Sequence, residues 1–204
     1  MPSVYQLKPA FQRALRPIVP RLAATGVTAN QVTLAAMALS IAAGIALAAW
    51  PGHPAPLLCL PVVLLVRMAL NAVDGMLARE HGQESHLGAA LNEIGDVVAD
   101  CALYLPLALA WPGAAWLVVL FAAGAVIAEM AGVVAVQIGA RRRYDGPLGK
   151  SDRAIVIGAL AFVDGIGVPT AAWIAWVLGV ACVLTAVTIA NRVRAAVAEA
   201  DTGS

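Results

Sequence analysis

Long apolar stretches separated by short polar breaks dominate the pattern of the chain. A helix needs about 20 apolar residues to cross a bilayer, and stretches of this kind predict six transmembrane helices. Their expected ranges are 30–50, 57–79, 88–111, 113–139, 153–169 and 171–191. The breaks contain Pro, Gly and charged residues, which are typical of turns. The pattern predicts an all-α integral membrane protein, a single domain over residues 1–204 with a six-helix bundle at 30–191.

The first 22 residues have an amphipathic pattern instead of a continuous apolar one. Their apolar side chains recur at helical spacing at Val4, Leu7, Phe11, Leu15, Ile18 and Leu22. Because the basic residues lie off this stripe, we expect residues 1–22 to form a helix in the membrane interface. Pro17 and Pro20 should kink or end that helix. A disordered basic tail is the alternative interpretation.

Composition supports the membrane assignment and excludes several classes of protein. Of the 204 residues, 61% are hydrophobic and only 12% are charged. A soluble domain carries about 25% charged residues and needs them to cover its surface. A soluble enzyme, a nucleic-acid-binding domain and a disordered chain are therefore excluded.

The positions of the basic residues predict the orientation in the membrane. Of the 13 Lys and Arg residues, four precede the first predicted helix, one ends the second, five lie at 141–153 and two follow the sixth. The three loops at the opposite ends contain none, and Arg67 alone lies inside a predicted span. Because Lys and Arg concentrate in cytoplasmic segments, both termini should be cytoplasmic, with residues 192–204 as a cytoplasmic tail.

Polar residues inside the predicted spans concentrate in the second and third helices. The second ends with Asn71 and Asp74, and the third begins with Asn92, Asp96 and Asp100 at four-residue steps. Residues three or four apart share one face of a helix. The short loop between the helices makes them antiparallel neighbours, so we expect the two polar faces to meet. Ionisable groups at such places indicate a functional site.

The residue types in this cluster indicate the chemistry of the site. Carboxylate and amide oxygens, without His or Cys, suit a hard cation such as Mg²⁺ or Mn²⁺ rather than zinc. A metal there could bridge phosphate oxygens, with Arg79 neutralising the remaining phosphate charge. The alternative is a set of structural helix–helix contacts, in which the carboxylates pair with Arg67 or Arg79. The number of acids and amides in otherwise apolar helices favours the binding site.

The spacing of these residues resembles the signature of the CDP-alcohol phosphotransferase family. The family pattern is Asp-x₂-Asp-Gly-x₂-Ala-Arg-x₈-Gly-x₃-Asp-x₃-Asp, and this chain has Asn71, Asp74, Gly75, Ala78, Arg79, Gly88, Asn92 and Asp96 at the corresponding places. Residues 27–33 are also similar to a Thr-Pro-Asn-x-x-Thr element at the start of the family's first helix. The resemblance implies the same six spans, amphipathic N-terminal helix and cytoplasmic termini.

By this resemblance, Asn71, Asp74, Asn92 and Asp96 are the metal ligands, and Asp96 is also the catalytic base. The chain departs from the family at Asn71 and Asn92, which are neutral where aspartates are expected. Asp100 or Glu93 could restore a charge, although neither belongs to the family pattern. Alternatively, Arg67 could pair with Asp100 and make Asp100 structural.

The resemblance also implies two binding regions. The first region binds the nucleotide and consists of Gly75, Ala78, Arg79 and Gly88. Its small residues leave room for the nucleotide, and Arg79 contacts a phosphate. A Gly-Lys-containing segment at the start of the fifth helix is similar to one that receives a phosphorylated acceptor in the family. Candidate acceptor-phosphate residues are Arg141, Lys150 and Arg153. The basic run at 141–143 is alternatively a topology anchor at the anionic leaflet.

The resemblance implies an enzyme that transfers a phosphoalcohol group from a CDP-alcohol to an acceptor hydroxyl and releases CMP. CDP-diacylglycerol is the expected donor, the acceptor is unidentified, and the cofactor is Mg²⁺ or Mn²⁺. The expected partners are membrane lipid and a second copy of the chain in a homodimer, and nucleic acid is not an expected partner. The expected location is the bacterial inner membrane, with the site facing the cytoplasm. A catalytically impaired paralogue that binds nucleotide or lipid is one alternative. A small transporter is another, which the clustering of acids at one end disfavours.

The predicted topology is testable with fusion reporters. Reporters placed after Arg143 and at the C-terminus should both read cytoplasmic, because basic loops stay on that side. A reporter in the loop at residues 51–56 should read external. An external signal after Arg143 would contradict the six-helix topology.

Overall fold

The computed structural model describes residues 8–203, and this part of the chain is helical with no strand. The helices are α1 Lys8–Leu15, α2 Val19–Ala24, α3 Ala29–Ala49, α4 Pro54–Glu80, α5 His86–Tyr104, α6 Leu107–Ala110, α7 Ala115–Gln137, α8 Lys150–Gly165 and α9 Ile174–Gly203. Short 3₁₀ turns precede α2 and α7 at Arg16–Ile18 and Pro112–Ala114. The all-α prediction is confirmed over the described residues.

Each of the six predicted ranges overlaps one of the longer helices, and four of these helices are long and apolar enough to be candidate spans. These four are α3, α4, Pro112–Gln137 and Ile174–Thr202. Helix α5 carries Glu93, Asp96 and Asp100, and α8 has only 16 residues. The four candidate spans support a membrane protein, while the six-span topology stays a prediction.

The third predicted helix is shorter than expected. It was expected at 88–111, but α5 ends at Tyr104 and the separate turn α6 follows Pro106. Proline has no amide hydrogen and its ring obstructs the preceding helical turn, which explains the break.

The last predicted helix, 171–191, ends too early, because α9 continues to residue 203; the cytoplasmic location of the tail at 192–204 stays a prediction. Three contacts hold this extension. Arg192 is only 2% exposed, and Ala196 is buried in a small alanine cluster with α7. Glu199 accepts a hydrogen bond from Arg143 Nη1 at 2.7 Å. Tertiary contacts rather than apolar composition therefore decide where α9 ends.

The N-terminal segment is helical and amphipathic, so the alternative of a disordered tail is wrong for residues 8–24. Its break at Arg16–Ile18 coincides with Pro17, as predicted. Val19 is fully buried against Met76 and Leu77 of α4, whereas Ile18 is 45% exposed. The tighter 3₁₀ turn changes the helical period, so the buried stripe shifts by one residue. Val4 and Leu7 lie outside the described residues.

The long helices pack so that α3, α4 and α5 share one end of the bundle. Helix α3 contacts both α4 and α5, α4 also contacts α8, and α7 lies between α5 and α9. The crossing of α3 and α5 is close, because a Cβ atom at Gly44 would collide with the carbonyl group of Ala102. Small residues permit such approaches between membrane helices. The buried apolar core lies below this end, around Leu103, Tyr104 and Phe121.

Ion pairs connect the basic segments at one end of the bundle. Arg16 contacts Glu80 at 2.7 Å and so links the N-terminal helices to the end of α4. Arg141 contacts Glu199 at 2.8 Å and links the α7–α8 loop to the end of α9. At the opposite end, Asp164 accepts hydrogen bonds from Trp111 and Thr170. The predicted polar site lies at the basic end.

Candidate active site

The predicted polar faces of α4 and α5 meet directly. Asn71 of α4 donates a hydrogen bond from Nδ2 to Asp96 Oδ1 of α5, at 2.9 Å. This orientation leaves the Asn71 carbonyl oxygen free to act as a ligand. A carboxylate at this place would repel Asp96, whereas the amide stabilises the contact. The prediction that these two faces meet is confirmed.

Helix α3 supplies a third wall to the site. Thr33 donates a hydrogen bond to Asp74 Oδ2 at 2.8 Å, and both residues are buried. The methyl group of the same threonine faces Gly95, where a Cβ atom would lie 3.8 Å away. Asp74 and the Gly95–Asp96 segment therefore flank one residue of α3. This explains structurally why the threonine element at 27–33 accompanies the acidic pattern.

Two cationic side chains compensate the charge of Asp96. Lys150, at the start of α8, forms an ion pair with Asp96 Oδ1. Arg67 Nη2 lies 3.6 Å from the same oxygen and donates a hydrogen bond to the Asp96 backbone carbonyl at 3.1 Å. The Asp96 side chain is 15% exposed, so it remains accessible from the polar end.

Asp100 has a structural role, as one of the sequence hypotheses expected. Arg67 Nη1 lies 2.5 Å from Asp100 Oδ1, and the two side chains are 4% and 2% exposed. Glu93 is likewise engaged, in an ion pair with Arg142. Because arginines hold both acids, neither replaces the carboxylates missing at Asn71 and Asn92 in this structure.

The donor set fits a single hard divalent cation. Asp74 and Asp96 provide two carboxylates, and Asn71 and Asn92 provide amide oxygens. Asn92 lies one turn before Asp96, is half-buried, and its side chain has no hydrogen bond to another residue within 8–203. Within the same residues, no group of three or more His, Cys, Asp or Glu side chains could hold a metal. Two carboxylates cannot balance two divalent ions, and Lys150 and Arg67 already compensate the charge of one of them.

The four predicted nucleotide-binding residues have different surroundings. The guanidinium group of Arg79 folds over Gly75, because a Cβ atom at Gly75 would lie 3.0 Å from Arg79 Nη2. Arg79 is exposed and has no ion pair with another residue of 8–203. Ala78 is half-buried in the cluster that covers the N-terminal helices. Gly88 allows Asn30 to approach, since a Cβ atom there would lie 2.7 Å from Asn30 Oδ1.

The three predicted acceptor-phosphate residues do not form one site. Arg141 is exposed and pairs with Glu199, while Lys150 pairs with Asp96. Arg153 is fully buried, and its Nη2 lies 2.8 Å from Glu129 Oε1. The structure brings Lys150 and Arg153 to the site, and it leaves Arg141 outside.

Sequence reasoning missed Arg192, which is one of the arginine partners of Glu129. Arg192 Nη1 lies 3.5 Å from Glu129 Oε1 and also donates a hydrogen bond to the Ala128 carbonyl. A signal was present in the sequence: Thr185, Thr188 and Arg192 follow a helical spacing, and all three are buried. This polar stripe extends the pattern of α9 beyond the predicted end at 191.

Comparison with known proteins identifies relatives over most of the chain. The model of the CDP-alcohol phosphatidyltransferase family matches residues 26–188. Inner membrane protein YnbA of Escherichia coli (strain K12) is 44% identical over 192 residues, which cover 94% of this chain and 95% of that protein. Together with the four apolar helices, this similarity establishes a membrane protein.

Solved structures of one enzyme share the fold. Phosphatidylinositol phosphate synthase PgsA1 of Mycobacterium tuberculosis with CDP-DAG bound has a TM-score of 0.75 at 22% identity, covering 90% of this chain and 94% of that chain. The same enzyme in complex with manganese and citrate has a TM-score of 0.74 at 21% identity, covering 89% and 88%. At these identities the likeness concerns the fold.

The buried Arg67–Asp100 pair should matter more for stability than an exposed pair. Asp100→Asn leaves Arg67 without its closest carboxylate, and breaking a buried pair costs about 3–5 kcal/mol. Arg16→Gln breaks an exposed pair with Glu80, which is worth under about 1 kcal/mol. Thermal unfolding in one detergent should therefore show a much larger loss for Asp100→Asn. Equal losses would contradict the structural role of Asp100.

Proposed function

The chain belongs to the CDP-alcohol phosphatidyltransferase family, and from this premise we propose that it transfers a phosphoalcohol group from a CDP-alcohol to an acceptor hydroxyl. The observation that carries the proposal is the junction of α4 and α5, where Asn71 bonds to Asp96 beside the buried Asp74. The acceptor oxygen would form a bond to the phosphorus of the phosphoalcohol group. The bond from that phosphorus to the CMP oxygen would break, and CMP would leave.

We assign the proton of the acceptor hydroxyl to Asp96. Its Oδ1 accepts from Asn71 and contacts Lys150, whereas its Oδ2 has no hydrogen-bond partner within residues 8–203. A carboxylate oxygen of this kind can accept the proton of an approaching alcohol. Asp74 is less suited to this role, because it is 5% exposed and already accepts from Thr33.

A divalent cation fits the oxygen donors of Asn71, Asp74, Asn92 and Asp96. When bound, Mg²⁺ or Mn²⁺ would polarise the diphosphate and neutralise the charge of departing CMP. The manganese in a PgsA1 structure supports this assignment. Arg79 is the residue we assign to a nucleotide phosphate, because its guanidinium group has no carboxylate partner in residues 8–203 and lies over Gly75 at the edge of the site.

CDP-diacylglycerol is the donor that the surroundings of the site favour. Helix α5 carries Asp96 on one side and exposed apolar residues, Leu87, Ile94 and Val98, on another. A helix that borders both lipid and the polar site suits a donor with acyl chains. PgsA1, which shares the fold, was solved with CDP-DAG bound.

We place the protein in a bacterial inner membrane, with six spans and with both termini and the site on the cytoplasmic side. The similarity to an inner membrane protein and the concentration of basic residues at one end support this placement. Helices α5 and α8 would then cross with the four candidate spans. A homodimer is also expected from the family and stays a prediction.

One observation favours a second candidate function, binding of nucleotide or lipid without turnover. Two family carboxylates are amides, and Lys150 contacts the carboxylate that we assign as the base. In such a paralogue the site would bind a CDP-alcohol without releasing CMP.

Substitution of the two aspartates should separate binding from chemistry. Asp96→Asn keeps an oxygen ligand but accepts a proton poorly, so CMP release from CDP-diacylglycerol should fall by about 10²-fold or more. Asp74→Ala removes a ligand and should weaken binding of both Mn²⁺ and CDP.

The matched control is Asp201→Asn, an exposed aspartate near the end of α9. It should leave CMP release and CDP binding unchanged. Full CMP release by Asp96→Asn would remove the assignment of the base, and absence of CMP release from the wild-type protein that still binds CDP would favour the paralogue.

A further inference from the structure

A continuous set of ion pairs runs from Asp96 into the bundle. We call it the inner ion network, and its members are Arg67, Glu93, Asp96, Asp100, Glu129, Arg142, Lys150, Arg153 and Arg192. It joins α4, α5, α7, α8, α9 and the α7–α8 loop. Every member contacts at least one residue of opposite charge.

The inner ion network is electrically balanced. Together with the adjacent buried Asp74, it contains five cationic and five carboxylate side chains, so its formal charge is zero. Charges removed from water are tolerated when an opposite charge compensates them. The formal charges of the ligands that enter this region should therefore also add up to about zero.

A divalent cation and a CDP-alcohol bound together have a summed charge near zero. A divalent cation adds two positive charges, and the diphosphate of a CDP-alcohol adds two negative ones. An uncharged acceptor leaves the sum unchanged. A phosphorylated acceptor would add about 1.5 to 2 further negative charges at neutral pH, and it would need a cation that is not already compensated.

The carboxylate of Glu129 already pairs with the arginines that a phosphate would need. Arg153, Arg192 and Arg142 all contact its carboxylate, at 2.8, 3.5 and 3.4 Å. Glu129 is 5% exposed, so a phosphate could take these arginines only by leaving its carboxylate buried without a partner. Such a displacement is costly.

Two further arginines near this end are also paired. Arg141 and Arg143 both pair with Glu199, and Arg143 also pairs with Asp145. Arg79, which has no partner in residues 8–203, lies on the other side of the site beside Gly75.

Three polar atoms at the buried end of the inner ion network have no hydrogen bond within the described part of the chain. Asp100 Oδ2, Tyr104 OH and Arg153 Nε have no hydrogen-bond partner within residues 8–203. The set combines a carboxylate acceptor with an N–H donor and a hydroxyl that can do either. Asp100 Oδ2 lies 3.6 Å from Arg153 Nη2, so this carboxylate compensates a further arginine and would repel a phosphate.

We infer that the acceptor is an uncharged alcohol without a phosphate group, and that Glu129 is the residue that excludes a phosphorylated acceptor. This inference rests on the proposed transferase function, because it names the acceptor class of the same site. It differs from the expectation that Arg141, Lys150 and Arg153 receive a phosphate, and the tests below decide between the two.

The first test compares matched acceptors with the wild-type protein. CMP release from CDP-diacylglycerol and Mn²⁺ is measured with glycerol against sn-glycerol 3-phosphate, and with myo-inositol against its 1-phosphate. The unphosphorylated member should be the better acceptor in each pair. CMP release with the phosphorylated members alone would overturn the inference and leave the transferase function standing.

The second test measures phosphate binding without turnover. Inorganic phosphate is titrated into the CDP- and Mn²⁺-loaded protein, and thermal unfolding reports the binding. Glu129→Gln frees the arginines and should bind phosphate at least about tenfold more tightly than the wild type. Glu84→Gln, the same charge change at an exposed residue outside the inner ion network, should bind like the wild type.

The outcomes of the two tests are separable. Wild-type protein that binds phosphate as tightly as a folded Glu129→Gln variant would overturn the role of Glu129. A gain in phosphate binding by Glu129→Gln without CMP release from any acceptor would support Glu129 and count against the transferase function. If Glu129→Gln does not fold, the wild-type acceptor comparison decides the acceptor class.

Discussion

The ion pair between Arg67 of α4 and Asp100 of α5 is the interaction on which the rest of the polar end depends. Both side chains are almost fully buried, at 4% and 2% exposure, in helices that are otherwise apolar. Neither charge could stay there alone, because an isolated ion in an apolar interior is strongly destabilised. The pair fixes α4 against α5 one turn below Asp96, and Arg67 also holds the backbone of Asp96.

Charge compensation also explains why neutral residues, Asn71 and Asn92, stand at two positions of the site. The inner ion network with Asp74 is neutral as it stands, so aspartates in place of Asn71 and Asn92 would add two negative charges to a balanced region. At an effective dielectric of about 20, one unit-charge pair at 4 Å is worth on the order of 4 kcal/mol before desolvation. The ion pair of Lys150 with Asp96 and the neutral amides of Asn71 and Asn92 therefore fit together, because both keep the region neutral. Because this region is already neutral, the charge of a divalent cation is balanced there when the diphosphate of the donor enters with it.

Much of the fold and the centre of the site could be predicted from the sequence. Apolar length located the longer helices, and the spacing of Asn71 and Asp74 against Asn92 and Asp96 placed two polar faces that do meet. These features depend on the helical repeat within one segment and on the fixed spacing of the polar residues along the chain. What could not be predicted depends on contacts between distant residues. Arg192 lies 63 residues from Glu129 along the chain, and only their contact shows that α9 continues and that the basic residues are already paired.

The measurement that tests the account most directly is the number of divalent cations bound per chain. Mn²⁺ is titrated by equilibrium dialysis into the purified protein, with and without CDP, in the wild type and in the Asn71→Asp/Asn92→Asp variant. The account predicts one Mn²⁺ per chain that is held tightly with CDP and weakly without it in the wild type, and tighter nucleotide-free binding when the two aspartates are restored. Two tightly held Mn²⁺ ions in the nucleotide-free wild-type protein would contradict it.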